Sequence, residues 1–193
     1  MTVTDNDKLF KALRAEITKL GRTTITVGVH GDERERDGGE LDNVQIAAVH
    51  EFGAPAQGIP ARSFLRAAVD ERLGGIGITA KDLAERVGTA TMSAKEAGAQ
   101  LGAFVAGVIQ ARMSNGLEPP LSQKTLVRRA QRTKRGRKAL ATIKRLSAKA
   151  RAGKALTGKQ GAQLASAQAL ITNAKPLIDT GQLRQSIAYK VKQ

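Results

Sequence analysis

Positive charge is segregated along this chain, and that segregation constrains the fold more than any other sequence feature. Residues 121–178 contain 15 Lys and Arg residues and no Asp or Glu, whereas residues 1–120 contain 14 basic and 16 acidic residues. Nearly all of the formal net charge of +15 therefore comes from one stretch. Because no carboxylate in that stretch can offset the repulsion between its cations, the sequence predicts either a solvated surface or a surface that meets an anionic partner.

The length and composition indicate one domain or a small domain that carries an insertion. The 193 residues are 41% hydrophobic, but they include 4 Phe, 1 Tyr and no Trp. A core that is rich in Ala favours close helix packing and often needs a neighbouring subunit to complete it. No apolar run approaches the roughly 18 residues of a membrane span, and the first ten residues lack the layout of a signal peptide. We therefore expect a soluble protein made in a cytoplasm.

Hydrophobic periodicity predicts alternating helices and strands in the first part of the chain. Residues 5–20 read as an amphipathic helix, and the alternating residues 22–30 read as a strand. Asp42 or Asn43 can cap a short helix over 44–51. A helix from Ser63 is expected to break at the glycines 74–77, after which a capping box at Thr79 opens a long helix to about Met113.

Beyond Pro120 the pattern predicts three further helices and a terminal strand. The helices are expected from Ser122 to Thr133, over 138–151 and over 158–171, with a capping box at Thr157 and Gln160 for the last of them. The alternation of residues 187–191 predicts a strand that pairs with the first strand. The fold class is therefore α+β, a small antiparallel sheet packed with several helices plus a basic helical insertion.

Sequence signatures of catalysis are missing. The chain contains no phosphate loop, no GxSxG and no HExxH, and it has no cysteine. The segment His50-Glu51-Phe52-Gly53 begins like a zinc protease motif but lacks the second histidine, and His30 is the only other histidine. We expect a protein that is not an enzyme and has no cofactor, metal or small-molecule substrate.

Two segments carry a resemblance to a known family. They are IAAVHEFGAPAQGIPARSFLRAAVD (46–70) and KPLIDTGQLRQSIAYKV (175–191). Together they resemble the phage virion morphogenesis family, the tail-completion or neck proteins of Mu-like and related tailed phages. TTITVGVHG before the first segment, and PPLSQKTLVRR (119–129), fit the same pattern. The resemblance implies a core made of residues 1–130 and 174–193, which the basic residues 131–173 interrupt.

That resemblance also implies a function and a set of partners. The protein would be a structural subunit of the virion neck or tail, assembled in the host cytoplasm and forming a ring at the head–tail junction. A hexameric ring would match tail symmetry. Its partners would be other copies of itself and other neck, connector and tail proteins, with packaged DNA as a further partner in the lumen.

Residues of the two motifs are candidates for a subunit or partner interface. They are Phe52, Gly53, Arg62, Phe64, Arg66, Asp179, Thr180 and Arg184. The same residue types also act as local fold devices, that is, caps, turns and a core Phe. We favour the structural interpretation for Gly53, Pro60 and Asp179 individually. For Arg62 and Arg66 both interpretations stay open, since Arg is favoured at geometrically specific charged interfaces.

The basic stretch has two candidate partners, DNA in the neck or acidic faces of adjoining proteins. Its candidate contact residues are Arg128, Arg129, Arg132, Lys134, Arg135, Arg137, Lys138, Lys144 and Arg145. No aromatic residue occurs in 105–188, so base stacking is excluded and any DNA contact should be to phosphates, without sequence preference. The alternative function is a free nucleic-acid-binding protein that uses residues 124–159. A ribosome-associated basic protein fits less well, because residues 1–120 are near neutral.

Overall fold

A computed structural model describes residues 7–31, 42–177 and 181–193, and in them the α+β prediction is confirmed. The helices and strands are α1 (Asp7–Arg22), β1 (Thr24–Val29), α2 (Asn43–Phe52), α3 (Arg66–Gly88), α4 (Ala94–Asn115), α5 (Gln123–Arg132), α6 (Lys134–Arg151), α7 (Gly158–Thr172), α8 (Gln182–Gln185) and β2 (Ile187–Lys192). The chain forms two compact units. Unit 1 comprises residues up to Asn115 and from Gly181 onward, and unit 2 comprises residues 116–180.

Unit 2 is larger than the predicted insertion of residues 131–173. The difference arises because α5, which was expected to belong to the core, packs against α6 and α7. Leu126 and Ala130 of α5 are buried in one apolar cluster with Ala139 of α6 and with Ala167 and Ile171 of α7. The apolar face of α5 therefore belongs to a three-helix unit.

The sheet of unit 1 pairs the predicted strands in the predicted orientation. β1 and β2 are antiparallel, with Thr24 opposite Lys192 and Val29 opposite Ile187. The sheet lies directly on α4, because two glycines one helical turn apart leave room for it. A Cβ atom at Gly102 would lie 2.6 Å from Tyr189, and one at Gly98 would lie 2.9 Å from Val191.

The boundary between α3 and α4 was predicted wrongly. α3 continues through Gly74, Gly75 and Gly77, and the chain turns instead at residues 89–93. Ser93 begins α4 with a reciprocal cap, in which its hydroxyl accepts from the Glu96 amide at 3.2 Å and its own amide donates to the Glu96 carboxylate at 3.0 Å. Each exposed glycine lowers the stability of a helix by only about 1 kcal/mol relative to alanine. Packing of buried residues near both ends of α3, such as Ala68 and Val87, offsets that cost.

Local capping signals in unit 2 are confirmed. Ser122 caps α5, and Thr157 with Gln160 forms the capping box of α7. α6 begins at Lys134, earlier than the predicted residue 138, because the Thr133 hydroxyl accepts from the Gly136 amide at 3.0 Å. The turn between α5 and α6 is tight, since a Cβ atom at Gly136 would lie 2.2 Å from the Ala130 carbonyl oxygen.

Candidate functional site

The first motif segment folds into a closed loop between α2 and α3. Asp42 caps α2 in a capping box with Gln45. After α2, Gly53 adopts a φ of 79°, and Ala54 and Ile59 exchange two backbone hydrogen bonds of 2.8 and 3.0 Å. A Cβ atom at residue 53 would lie 2.8 Å from the Ala61 amide nitrogen. Glycine is therefore required at this position both by backbone conformation and by space.

A buried carboxylate joins this loop to the start of α3. Glu51, which is only 6% exposed, accepts hydrogen bonds from the Ser63 hydroxyl at 2.6 Å and from the amides of Phe64 and Leu65 at 2.8 and 2.9 Å. A fourth bond comes from the Arg66 amide at 3.2 Å. These amides are the unpaired donors at the N-terminus of a helix, so Glu51 caps α3 from another segment of the chain.

The environment of Glu51 favours its ionised form. Burial by itself raises the pKa of this carboxyl, but the hydrogen bonds from Ser63 and from the amides of Leu65, Phe64 and Arg66 lower it more, and the pKa lies below its ordinary value. The carboxylate is thus held as an acceptor with its oxygens engaged. This arrangement suits a structural anchor, because an engaged carboxylate has little capacity to accept a proton from a substrate.

Two further contacts fix the same loop. The Arg62 amide donates to the His50 carbonyl at 2.6 Å. From α4, the Arg112 guanidinium donates to the Ser63 carbonyl at 3.3 Å and forms an ion pair with Glu71 of α3. Sequence reasoning missed the roles of both Glu51 and Arg112. Glu51 could have been found, because an acidic residue two positions before the loop glycine Gly53 is a candidate cap for the next helix.

The structure separates the candidate interface residues of the first motif into buried and exposed ones. Phe64 is 0% exposed and Arg62 is 5% exposed, so these side chains offer no surface to another subunit in this conformation. Their place in the predicted interface is corrected: Phe64 fills the core beside the Glu51 anchor. Phe52 is 71% exposed, and Arg66 is exposed in the first turn of α3. Gly53 is part of the loop backbone between them.

The part of the second motif segment that belongs to unit 1, residues 181–191, lies near the first motif segment. Asp179 and Thr180 lie outside the described residues. Gly181 has a φ of 83° and precedes α8, which packs against α2 and α4. The Arg184 guanidinium donates to the Ser114 hydroxyl of α4 at 3.4 Å, so Arg184 is partly engaged inside the unit. The two segments that carry the resemblance therefore meet through α2 and α8.

Unit 1 also exposes large apolar side chains. α1 buries none of its residues, and its Leu9, Phe10 and Ile17 are 56%, 65% and 50% exposed. On α3, Leu73 and Ile78 are 63% and 74% exposed. A contiguous exposed apolar patch marks a surface that another protein covers, so these side chains are candidates for such a patch on unit 1.

Three cationic side chains of unit 2 bind oxygen atoms within the unit. Arg129 donates to the Lys175 carbonyl at 2.9 Å, Arg137 to the Gln131 carbonyl at 3.0 Å, and Lys149 to the Gln160 side chain at 2.7 Å. These three residues hold the helices and turns of unit 2 together. The remaining candidates are exposed; they are Arg128, Arg132, Lys134, Arg135, Lys138, Lys144 and Arg145.

The described residues contain no cluster that could hold a metal ion, meaning no group of three or more His, Asp or Glu side chains. His30 contacts the Thr26 hydroxyl at 3.3 Å, and its buried Nδ1 has no hydrogen-bond partner among the described residues. Across the same residues, no helix is long and apolar enough to cross a membrane.

Comparisons with known proteins found no relative. No protein-family model matches the chain, and neither curated proteins nor solved structures give a match. The resemblance to phage neck proteins therefore stays a prediction that rests on the two motif segments.

Proposed function

We propose that this chain is a structural subunit of a tailed phage particle, a tail-completion or neck protein that assembles as a ring at the head–tail junction. The ring has the hexameric order that the resemblance implies, and the subunit performs no chemical step. It works by burying surface against copies of itself and against neighbouring neck, connector and tail proteins.

The observation that carries this proposal is the exposed apolar surface of unit 1. Phe10, Phe52 and Ile78 are each at least 65% exposed. A second subunit that covered them would remove their apolar surface from water. Burial of one such side chain contributes about 1.5–3 kcal/mol. Phe52 is the last residue of α2 and follows the Glu51 anchor, so its backbone is already fixed, which lowers the entropic cost of association.

The apolar surface also favours assembly over the alternative of a free nucleic-acid-binding protein. A protein that only binds phosphates needs exposed cations and gains nothing from exposed Phe, Leu and Ile side chains. Unit 1 has these side chains on four helices, α1, α2, α3 and α4.

The test is the mass of the full-length chain in solution, measured by light scattering across protein concentration, alone and with phage tail components. We expect a discrete multiple of the 20.4 kDa chain, or a monomer that becomes one when tail components are added. Single substitutions Phe10→Ser, Phe52→Ser and Ile78→Ser should each weaken assembly. Val127→Ser is the matched control, since Val127 is an exposed apolar residue of unit 2 at 37%.

A chain that stays monomeric at every concentration and with tail components would contradict the proposal. Equal effects of all four substitutions would also contradict it, because the effect would then not depend on the surface of unit 1.

A further inference from the structure

Positive charge is concentrated on two of the three helices of unit 2. α5 carries four cations in its 10 residues and α6 carries eight in its 18, whereas α7 carries only Lys159 in its 15. A surface whose charge only maintained solubility would not require this asymmetry. The distribution indicates a partner that contacts α5 and α6 and not α7.

On α6 the exposed cations form a row. Lys134, Lys138 and Arg145 follow one another at intervals of four and seven residues, so they share one side of the helix. All three are exposed, whereas Ile143 on the opposite side packs against the core of unit 2. The row extends about 16 Å along the helix axis. Phosphates of one DNA strand recur about every 3.4 Å along the duplex axis, so a row of this length spans several of them.

On α5 a second row has the same character. Lys124, Arg128 and Arg132 are spaced by four residues and are exposed, while Leu126 and Ala130 on the other side of the helix are buried. No residue of 121–177 carries a carboxylate. The counter-charge for these two rows must therefore come from outside that segment.

Over its described residues, 116–177, unit 2 lacks the apolar surface of a protein–protein interface. Among the large apolar side chains that are exposed in the described residues, only Val127 belongs to unit 2, and the unit contains no aromatic residue. Protein interfaces are built around desolvated aromatic and apolar residues, whereas a phosphate backbone is bound by exposed Lys and Arg. Duplex nucleic acid fits this surface better than an acidic protein does.

We propose that α5 and α6 form a sequence-independent binding surface for the phosphate backbone of duplex DNA. Lys134, Lys138 and Arg145 provide one line of contacts, and Lys124, Arg128 and Arg132 provide the other. The inference depends on unit 2 alone, so it does not rest on ring formation. Arg129, Arg137 and Lys149 are excluded from the surface because their side chains hold the unit together.

The test compares two variants of the full chain that lose equal charge. One carries Lys134→Gln, Lys138→Gln and Arg145→Gln, and the control carries Lys8→Gln, Arg72→Gln and Lys95→Gln at exposed positions of unit 1. Fluorescence anisotropy with two labelled duplexes of unrelated sequence measures affinity between about 50 and 200 mM salt. Circular dichroism verifies that both variants keep their helix content.

We expect both duplexes to bind equally well, with affinity that falls steeply as salt rises. The α6 variant should bind at least about tenfold more weakly, and the slope of log affinity against log salt should decrease by about 2.7, since each lost phosphate contact removes about 0.9. The control should keep the slope of the unmodified chain.

Three results would overturn the inference. Equal losses in the two variants would show that binding follows net charge and not this surface. Preference for one duplex would remove the claim of sequence independence. Binding of polyglutamate as tightly as DNA, at equal charge, would assign the surface to an acidic protein partner.

Discussion

The two units of this chain differ in the chemistry of their surfaces. Unit 1 is near neutral and exposes Phe, Leu and Ile side chains on several helices, while its closed loop is fixed by the carboxylate of Glu51. Unit 2 exposes Lys and Arg on α5 and α6 and has a small core of Leu, Ile and Ala. The difference indicates two separate kinds of docking. Apolar burial is insensitive to salt, whereas cation–phosphate contact weakens steeply with it.

Deletion of unit 2 would test the comparison most severely. A short Gly-Ser linker can replace residues 116–180, because the residues on either side of this segment both belong to unit 1. The two chain ends lie close together there, since the Arg184 guanidinium is 3.4 Å from the Ser114 hydroxyl. We expect DNA binding to be lost while unit 1 folds and assembles as before. Light scattering and anisotropy on the same sample measure both properties. If unit 1 folded but no longer assembled, then assembly would also require unit 2, and the two binding functions would not be separate.

Removal of the Glu51 carboxylate should have the largest effect on stability. Glu51→Ala leaves the Ser63 hydroxyl and three amides without their acceptor, and we expect a loss of at least about 3 kcal/mol in the free energy of unfolding, since each buried unsatisfied donor costs about 1–3 kcal/mol. Urea denaturation measures the change. Glu51→Gln, which keeps one acceptor oxygen, should lose less. An alanine variant as stable as the parent would refute the anchoring role.

The same anchor predicts a pH dependence. The pKa of Glu51 is lower in the folded chain than its ordinary value, so the unfolded state binds the proton more readily. The stabilising contribution is therefore complete above the ordinary pKa and is lost as pH falls through the folded pKa. As pH falls, the free energy of unfolding should therefore decrease less in Glu51→Gln than in the parent chain. If the free energy of unfolding depended on pH in the same way in both proteins, this prediction would be contradicted.

The tight turn of unit 2 allows a matched pair of glycine substitutions. Gly136→Ala places a Cβ atom 2.2 Å from the Ala130 carbonyl oxygen, whereas one at Gly161 on α7 would have no neighbour within 4 Å. We expect Gly136→Ala to destabilise unit 2 by about 1–3 kcal/mol through overpacking, and Gly161→Ala to stabilise it by a few tenths to about 1 kcal/mol. Thermal unfolding followed by circular dichroism compares them. Similar melting curves would show that the turn is not tight.

The smallest expected effect concerns the exposed glycines of α3. Gly75→Ala meets no atom within 4 Å and removes backbone freedom from the unfolded chain, so unit 1 should gain about 0.5–1 kcal/mol. Urea denaturation can resolve this gain. A loss of stability would instead indicate that α3 is not continuous through residues 74–77.

Prediction from the sequence succeeded where a signal and its consequence lie close together. Ser122 and Thr157 cap their helices because the amides they accept from lie three residues further along. The Ser93 cap of α4 spans the same short distance, from Ser93 to Glu96, but the sequence prediction ended the helix at the glycines of α3 instead. Those glycines lower helix propensity without preventing a helix that is packed at both ends.

Prediction failed for burial at the candidate interface. Phe64 and Arg62 were assigned to a subunit boundary together with Phe52, although only Phe52 is exposed. Which side chains of a loop turn inward depends on how the loop closes. Closure here depends on Glu51, which accepts from residues 12 to 15 positions away, a range that local periodicity does not cover.

The sequence by itself determined the α+β class, the antiparallel pairing of the two strands, most helix ends and the location of the positive charge. All of these follow from residue order, side-chain alternation or formal charge. Tertiary structure alone decided that Glu51 caps α3, that Leu9, Phe10 and Ile17 of α1 are exposed, and that α5 belongs to unit 2. These features depend on packing between segments that are distant in sequence. Which apolar faces are buried, and which unpaired amides find an acceptor, is determined only when all of these segments pack together.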